Sequence, residues 1–443
     1  MVETIYGAIS GIRKNGCLEY LGIPYAKPPL GELAFRHPQP PEPWSGILKA
    51  DHPPKNPIQA MGGFGMPDNS EDCLYLNIFR PDTEEDKLPV MVWIYGGSYS
   101  TGGIGRLRES SDTMMYELGF FAKETNTVVV TVNYRLNVYG FLNLHSLSTR
   151  FDSNNGLYDL KLALEFVQDN IEAFGGNPKN ITVFGQSAGG SLTLALMTSE
   201  KTKHLFHKGI VQSANAEHFW TEAEGRRLAE KYLKLVGVDK HHLEDILSVP
   251  YERIRQANAK FEKKLILSGT ITCGFSPIID GDFLTDYPVK LTHKCDKPLL
   301  IGCNKAEADL FTEGMNGLVL RAIPLLTHVH PKMEGTYRER VNDGLTDFMY
   351  KKPIREIADS YPGKLWSYEF DYTPKEFAQL GLRACHTAEL PVLFGISMEN
   401  VCDCDPESQS VGQLMRQCWR DFAWDRLPFK GDKVIRFNKT NEE

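Results

Sequence analysis

Apolar positions along the chain follow two alternating rhythms. Leu88–Tyr95 is a near-continuous apolar run closed by Gly96-Gly97, and Thr127–Val132 is β-branched throughout. Ile181–Phe184, Gly209–Gln212, Pro298–Gly302 and Leu365–Phe370 are shorter runs of the same kind. Such runs read as strands buried on both faces, as in a parallel or mixed sheet covered by helices. Helical spacing lies between them. From Leu157 to Phe174, the residues Leu160, Leu164, Val167 and Ile171 share one face, and Gly175-Gly176-Asn177-Pro178 stops the pattern. Strand and helix alternating from end to end predict one α/β domain over residues 1–443, a mostly parallel twisted sheet flanked by helices. Two charged, mostly helical stretches without strong strands, about 222–264 and 314–352, interrupt the alternation and predict cap-like insertions over the mouth of a site.

One of the strand-to-helix junctions carries chemistry. Gly185-Gln186-Ser187-Ala188-Gly189 follows the run Ile181–Phe184 and precedes a helix-like Gly190–Met197. A Gly-x-Ser-x-Gly between strand and helix is a nucleophile elbow. The serine sits on a sharp bend, side chains on the flanking glycines would collide with the adjoining elements, and the helix directs unpaired N–H groups to the point where an oxyanion forms. A serine hydroxyl needs a base, and the base needs an acid to hold its tautomer. In elbow enzymes these follow in the order serine, acid, histidine. Glu307, shortly after the run ending at Gly302, is the best-placed acid, with Asp309 as its neighbouring competitor. His386, in a loop after Leu365–Phe370, is the best-placed base. His328 and His330 precede that strand, in the cap stretch. The turn Gly96-Gly97-Ser98 and the N–H of Ala188 offer donors to a developing negative oxygen.

Composition narrows the field further. The 443 residues carry a net charge of −8, with acidic residues spread along the chain, which argues against a nucleic-acid partner. Nine cysteines without a CxxC pair predict reduced, mostly buried thiols and a cytoplasmic setting. The opening residues have neither a basic nor an apolar signal segment, and no apolar run reaches the roughly 20 residues of a membrane span. Cys402-Asp403-Cys404 and the pair His328/His330 invite a metal reading, but each has too few ligands for a closed site, so no metal is expected.

The accumulated motifs resemble the type-B carboxylesterase family of α/β-hydrolases, which includes para-nitrobenzyl esterases, mammalian carboxylesterases and cholinesterases. The likeness runs from Leu21-Gly22-Ile23-Pro24-Tyr25-Ala26 through Ser70-Glu71-Asp72-Cys73-Leu74-Tyr75-Leu76-Asn77, the Trp93–Gly97 strand end and Asn133-Tyr134-Arg135. It continues with Phe174–Pro178, the elbow, Gly302–Glu307 and His386 with Glu389–Gly395. The resemblance implies an α/β-hydrolase fold, a triad of Ser187, Glu307 and His386, and oxyanion donors on Gly97, Ser98 and Ala188. It also implies a supporting Ser213 near the acid and, more weakly, Trp220 at the acyl pocket, with no cofactor or metal. Ser98 replaces a third glycine, which adds bulk beside the acyl site. The acid and the base lie only 79 positions apart, which implies a reduced cap and an open site.

The expected activity is therefore hydrolysis of small carboxylic esters through an acyl-enzyme. A non-catalytic binding or adhesion protein on the same scaffold, and a related hydrolase of amides or carbohydrate esters, are the alternatives. Natural substrate and oligomeric state are not encoded in these motifs.

Overall fold

The computed structural model describes residues 1–59, 68–108, 111–215, 219–267, 274–327, 329–396, 406–426 and 434–438. Cys273, His328, Cys402 and Cys404 lie outside these residues. The main sheet contains β1 (Ile12–Lys14), β2 (Cys17–Pro24), β3 (Tyr75–Pro81), β4 (Leu88–Ile94) and β5 (Val128–Val132). It continues with β6 (Gly176–Gln186), β7 (Lys208–Gln212), β8 (Leu299–Asn304), β9 (Leu365–Phe370) and β10 (Ile435–Phe437). Their spatial order is β10-β9-β8-β7-β6-β4-β5-β3-β2-β1.

From β10 to β5 every pairing is parallel, and from β5 through β3 and β2 to β1 every pairing is antiparallel. The six apolar runs form six of the seven strands of the parallel part; β10 is not among them. Every residue of β4, β5, β7 and β8 is buried, as continuous apolar sequence requires. The antiparallel strands gave weaker signals because polar residues occupy inward positions. Buried Asn77 on β3 is satisfied only by distant groups, accepting from Gly22 N–H (2.8 Å) and donating to the Ile104 carbonyl (3.1 Å).

Helices flank the sheet. α1 (Asn155–Asn170) runs on as a 3-10 turn to Phe174 and closes at Gly175, whose φ of +75° is the left-handed cap the sequence called for. Its face of Leu160, Leu164 and Val167 is buried. α2 (Ala188–Thr198) follows the elbow. Arg135, just after β5, is tied to Asp159 of α1 by bonds of 2.6 and 2.8 Å and donates to the carbonyls of Ala34 and Arg36. This buried pair fastens strand, helix and N-terminal loop together.

The first interrupting stretch holds α3 (Glu222–Val236) and α4 (Tyr251–Leu267), the second α5 (Gly317–Thr327) and α6 (Tyr337–Thr346), and α7 (Lys352–Ser360) follows the second. α3 and α6 each begin with a capping box, Thr221/Glu224 and Thr336/Glu339. A small separate core of Cys303, Leu320, Val329, Val341, Leu345 and Tyr350 lies beneath α5 and α6. The second stretch is less uniformly charged than expected: α5 carries Arg321 as its one charge. α8 (Pro406–Ala423) packs against the short helix Glu389–Phe394 that follows His386.

Candidate active site

β6 delivers its last residues into a bend. Ser187 has φ +57° and ψ −124°, a left-handed φ that a side chain rarely adopts, and α2 begins at the next residue. Tight packing imposes this bend. A Cβ at Gly189 would lie 2.0 Å from the Ile94 carbonyl oxygen, and one at Gly185 would lie 2.5 Å from that of Gly189. The Ser187 N–H donates to the Gln212 carbonyl at 2.9 Å, holding the bend against β7.

Behind the serine stands an acid–imidazole pair. His386 Nδ1 lies 2.6 Å from Glu307 Oε2, and both side chains are buried. The other Glu307 oxygen accepts the Asn304 N–H at 2.7 Å, so the carboxylate is fixed at both ends. With the Nδ1 proton directed at a carboxylate, Nε2 is left as the basic nitrogen. It sits 3.4 Å from the side-chain amide nitrogen of Gln186, the residue preceding the serine. No hydrogen bond joins Ser187 Oγ to the ring; catalytic hydrogen bonds are often long before substrate arrives. Phe311 and Tyr350 flank the imidazole, with ring centroids 5.1 and 5.5 Å away.

The competing residues are engaged elsewhere. Asp309 is gripped by Arg383 at 2.7 and 2.8 Å and by Asn342 at 2.9 Å. Burial pushes its carboxyl up, but the Arg383 and Asn342 hydrogen bonds outweigh this and hold it below the usual value. His330 is solvent-exposed. A further carboxyl, Glu389, is buried one helical turn beyond His386 and accepts from Asn304 Nδ2 at 2.6 Å. Burial, then the charge of Glu307, pushes it up to about 7.

The loop after β4 closes against the elbow. A Cβ at Gly96 would fall 2.8 Å from that of Ser187. Gly97 has φ +114°, and a Cβ there would be 2.2 Å from the Thr101 carbonyl oxygen, so only glycine fits. The Gly97 carbonyl accepts from Ser100 and Thr101 N–H at 3.0 and 2.9 Å, which pins the loop. Among the described residues, the N–H groups of Gly97, Ser98 and Ala188 have no acceptor in the protein. Ser98 is exposed with φ +56°. From α4, Glu262 reaches Ser100 of this loop; burial pushes its carboxyl up, and the Ser100 hydrogen bond opposes that.

Ser213 and Trp220 are placed less decisively. Ser213 is fully buried at the end of β7 and its N–H donates to the Gly302 carbonyl at 2.8 Å, but its hydroxyl has no partner among the described residues. Trp220 lies in a two-residue strand paired with Ile278–Ile279, its indole nitrogen buried and without a hydrogen-bond partner among the described residues. Sequence reasoning passed over Gln186, Phe311, Tyr350 and Glu262. Only Gln186, as the variable position inside the elbow, carried a local signal.

Comparison with known proteins gives this geometry a family. The carboxylesterase family profile matches residues 1–321 and 319–443. The chain is 32% identical to the para-nitrobenzyl esterase of Bacillus subtilis (strain 168), over 96% of this chain and 89% of that protein. The chain belongs to the carboxylesterase family. Among solved structures, a PNB esterase superposes with a TM-score of 0.85 at 30% identity, covering 99% of this chain and 96% of that one. A carboxylesterase of Geobacillus stearothermophilus gives 0.83 at 28%, with the same coverage. This carboxylesterase therefore has the α/β-hydrolase fold and is a serine hydrolase of carboxylic esters. Among its described residues, no helix is long and apolar enough to cross a membrane.

Proposed function

We propose that Ser187, Glu307 and His386 are the catalytic triad of this esterase, with the N–H groups of Gly97, Ser98 and Ala188 as the oxyanion hole. The observation that carries this reading is the buried 2.6 Å contact between Glu307 and His386, which orients the basic Nε2 toward the elbow. In the first step Ser187 Oγ bonds to the ester carbonyl carbon while its proton passes to His386 Nε2. The carbonyl electron pair moves onto oxygen, where the three N–H groups stabilise it; one such donor typically contributes about 2.7–4 kcal/mol. The C–O bond to the alcohol then breaks, and the imidazolium returns its proton to the leaving oxygen. Water, deprotonated by the same nitrogen, attacks the acyl carbon and releases the acid, restoring the serine. Glu307 holds the imidazole and stabilises its cation throughout. No metal or cofactor takes part in these steps.

Small carboxylic esters are the proposed substrates, p-nitrophenyl esters among them, in keeping with the name of the Bacillus relative. Ser213 supports the acid side of the site and Trp220 borders the acyl pocket in this reading. The chain acts as one domain, with the stretches 222–264 and 314–352 as its cap. A cytoplasmic location is supported by the free, buried state of Cys17, Cys73, Cys295, Cys303, Cys385 and Cys418.

Labelling with a fluorophosphonate, followed by mass mapping, tests the assignment. A single adduct on Ser187 is expected, together with loss of p-nitrophenyl acetate hydrolysis by at least about 10⁴-fold in Ser187→Ala. An adduct on another residue, or an active Ser187→Ala variant, would overturn it.

A further inference from the structure

The apolar stripe of α5 is on the wrong side for a helix that serves only the interior. Leu318, Ala322, Leu325 and Leu326 follow the i, i+4, i+7, i+8 spacing of a single face. Leu318 and Leu325 are 79% and 80% exposed, and Leu326 is 64% exposed. The opposite side carries Leu320, buried against Val341 and Leu345. The helix is thus already seated on its own core, and its larger apolar face turns outward. Isolated exposed leucines need no explanation, whereas a contiguous stripe on one helix marks an interaction site.

We propose that this face of α5 seats the enzyme on a lipid surface of no net charge, so that esters enter the site from that surface. Three observations select this occupant. First, the stripe follows closely in sequence on an exposed aromatic residue that touches the site. Phe311, 42% exposed and a few residues before α5, has its ring 5.1 Å from that of His386. This link rests on the function proposed above; the exposed stripe does not. Second, α5 bears one charge, Arg321, while the chain as a whole carries −8, which sets it against an anionic surface. A face of this kind fits an uncharged or zwitterionic interface, with the helix lying in the surface plane. Third, a second copy of the chain is a poor fit. An 11-residue helix is only about 17 Å long, a strip well short of the roughly 1,200 Å² that a stable protein pair covers.

The test is flotation of the whole protein with phosphatidylcholine vesicles, compared with vesicles containing 30% phosphatidylserine. The double variant Leu318→Ser/Leu325→Ser serves as the control, since both side chains are exposed and lie outside the catalytic machinery. Wild type is expected to float with phosphatidylcholine, and the variant at least about tenfold less, with unchanged hydrolysis of soluble p-nitrophenyl acetate. Absence of wild-type binding, equal binding by the variant, or binding that requires phosphatidylserine would overturn the proposal. A wild-type dimer that the variant converts to monomer would do so too. Vesicle binding without any ester hydrolysis would instead refute the catalytic reading and leave the docking face standing.

Discussion

His386 is held from both sides of its ring. Glu307 fixes the Nδ1 edge at 2.6 Å, and the Gln186 amide faces Nε2 at 3.4 Å. The amide is a neutral dipole and brings no counter-charge to the ring. Gln186→Glu would replace it with a carboxylate that favours the imidazolium. The acid limb of the kcat/KM profile is therefore expected to move about one pH unit upward, as read from pH–rate curves with a soluble ester. An unmoved limb would show that residue 186 does not face the base. Glu307→Gln keeps the shape but loses the charge and can set the wrong tautomer, so kcat is expected to fall by roughly 10⁴.

At the scale of elements, two junctions decide whether these side chains meet. The first is the packing of α2 on β4, where Gly189 leaves no room for a methyl group beside the Ile94 carbonyl. Gly189→Ala is expected to yield insoluble or unfolded protein. Gly317→Ala, at a position where an added Cβ meets nothing within 4 Å, is expected to express and melt as the wild type does. The second junction is the buried Arg135–Asp159 pair. Arg135→Ala would strand the Asp159 carboxylate in the interior, a loss of about 3–5 kcal/mol measurable by denaturant unfolding.

For the molecule as a whole, buried carboxyls contribute a pH-dependent part of the stability. Glu19 on β2 is 2% exposed, one of its oxygens has no partner among the described residues, and burial pushes its carboxyl from 4.5 up to about 7. A raised folded-state value means that the neutral form is the one the fold accommodates. Its contribution is fully present below about 4.5 and is lost as pH rises through about 7. Glu389 acts in the same direction. Glu19→Gln mimics the neutral acid, so it is expected to be near-neutral at pH 4.5 and to stabilise by about 1–3 kcal/mol at pH 8. Thermal unfolding at the two pH values checks this, and an equal effect at both would count against it.

The parallel strands β4 to β9, α1 with its Gly175 stop and the elbow were legible in the sequence because each depends on local causes. Continuous apolar runs need cover on both faces, a left-handed cap needs glycine, and a serine between two close-packed elements needs small neighbours. β2, β3 and α5 were obscured because their patterns depend on partners far along the chain. Glu19 and Asn77 read as surface residues until distant strands bury them, and the apolar spacing of α5 does not tell which way its stripe faces. The same holds for the site. The amino-acid order named Ser187, Glu307 and His386 as candidates, and motif resemblance ranked them. The tertiary structure paired Glu307 with His386, drew Asp309 to Arg383 and brought Gln186, Phe311 and Tyr350 around the ring, since no local spacing specifies which side chains meet when they lie 79 positions apart.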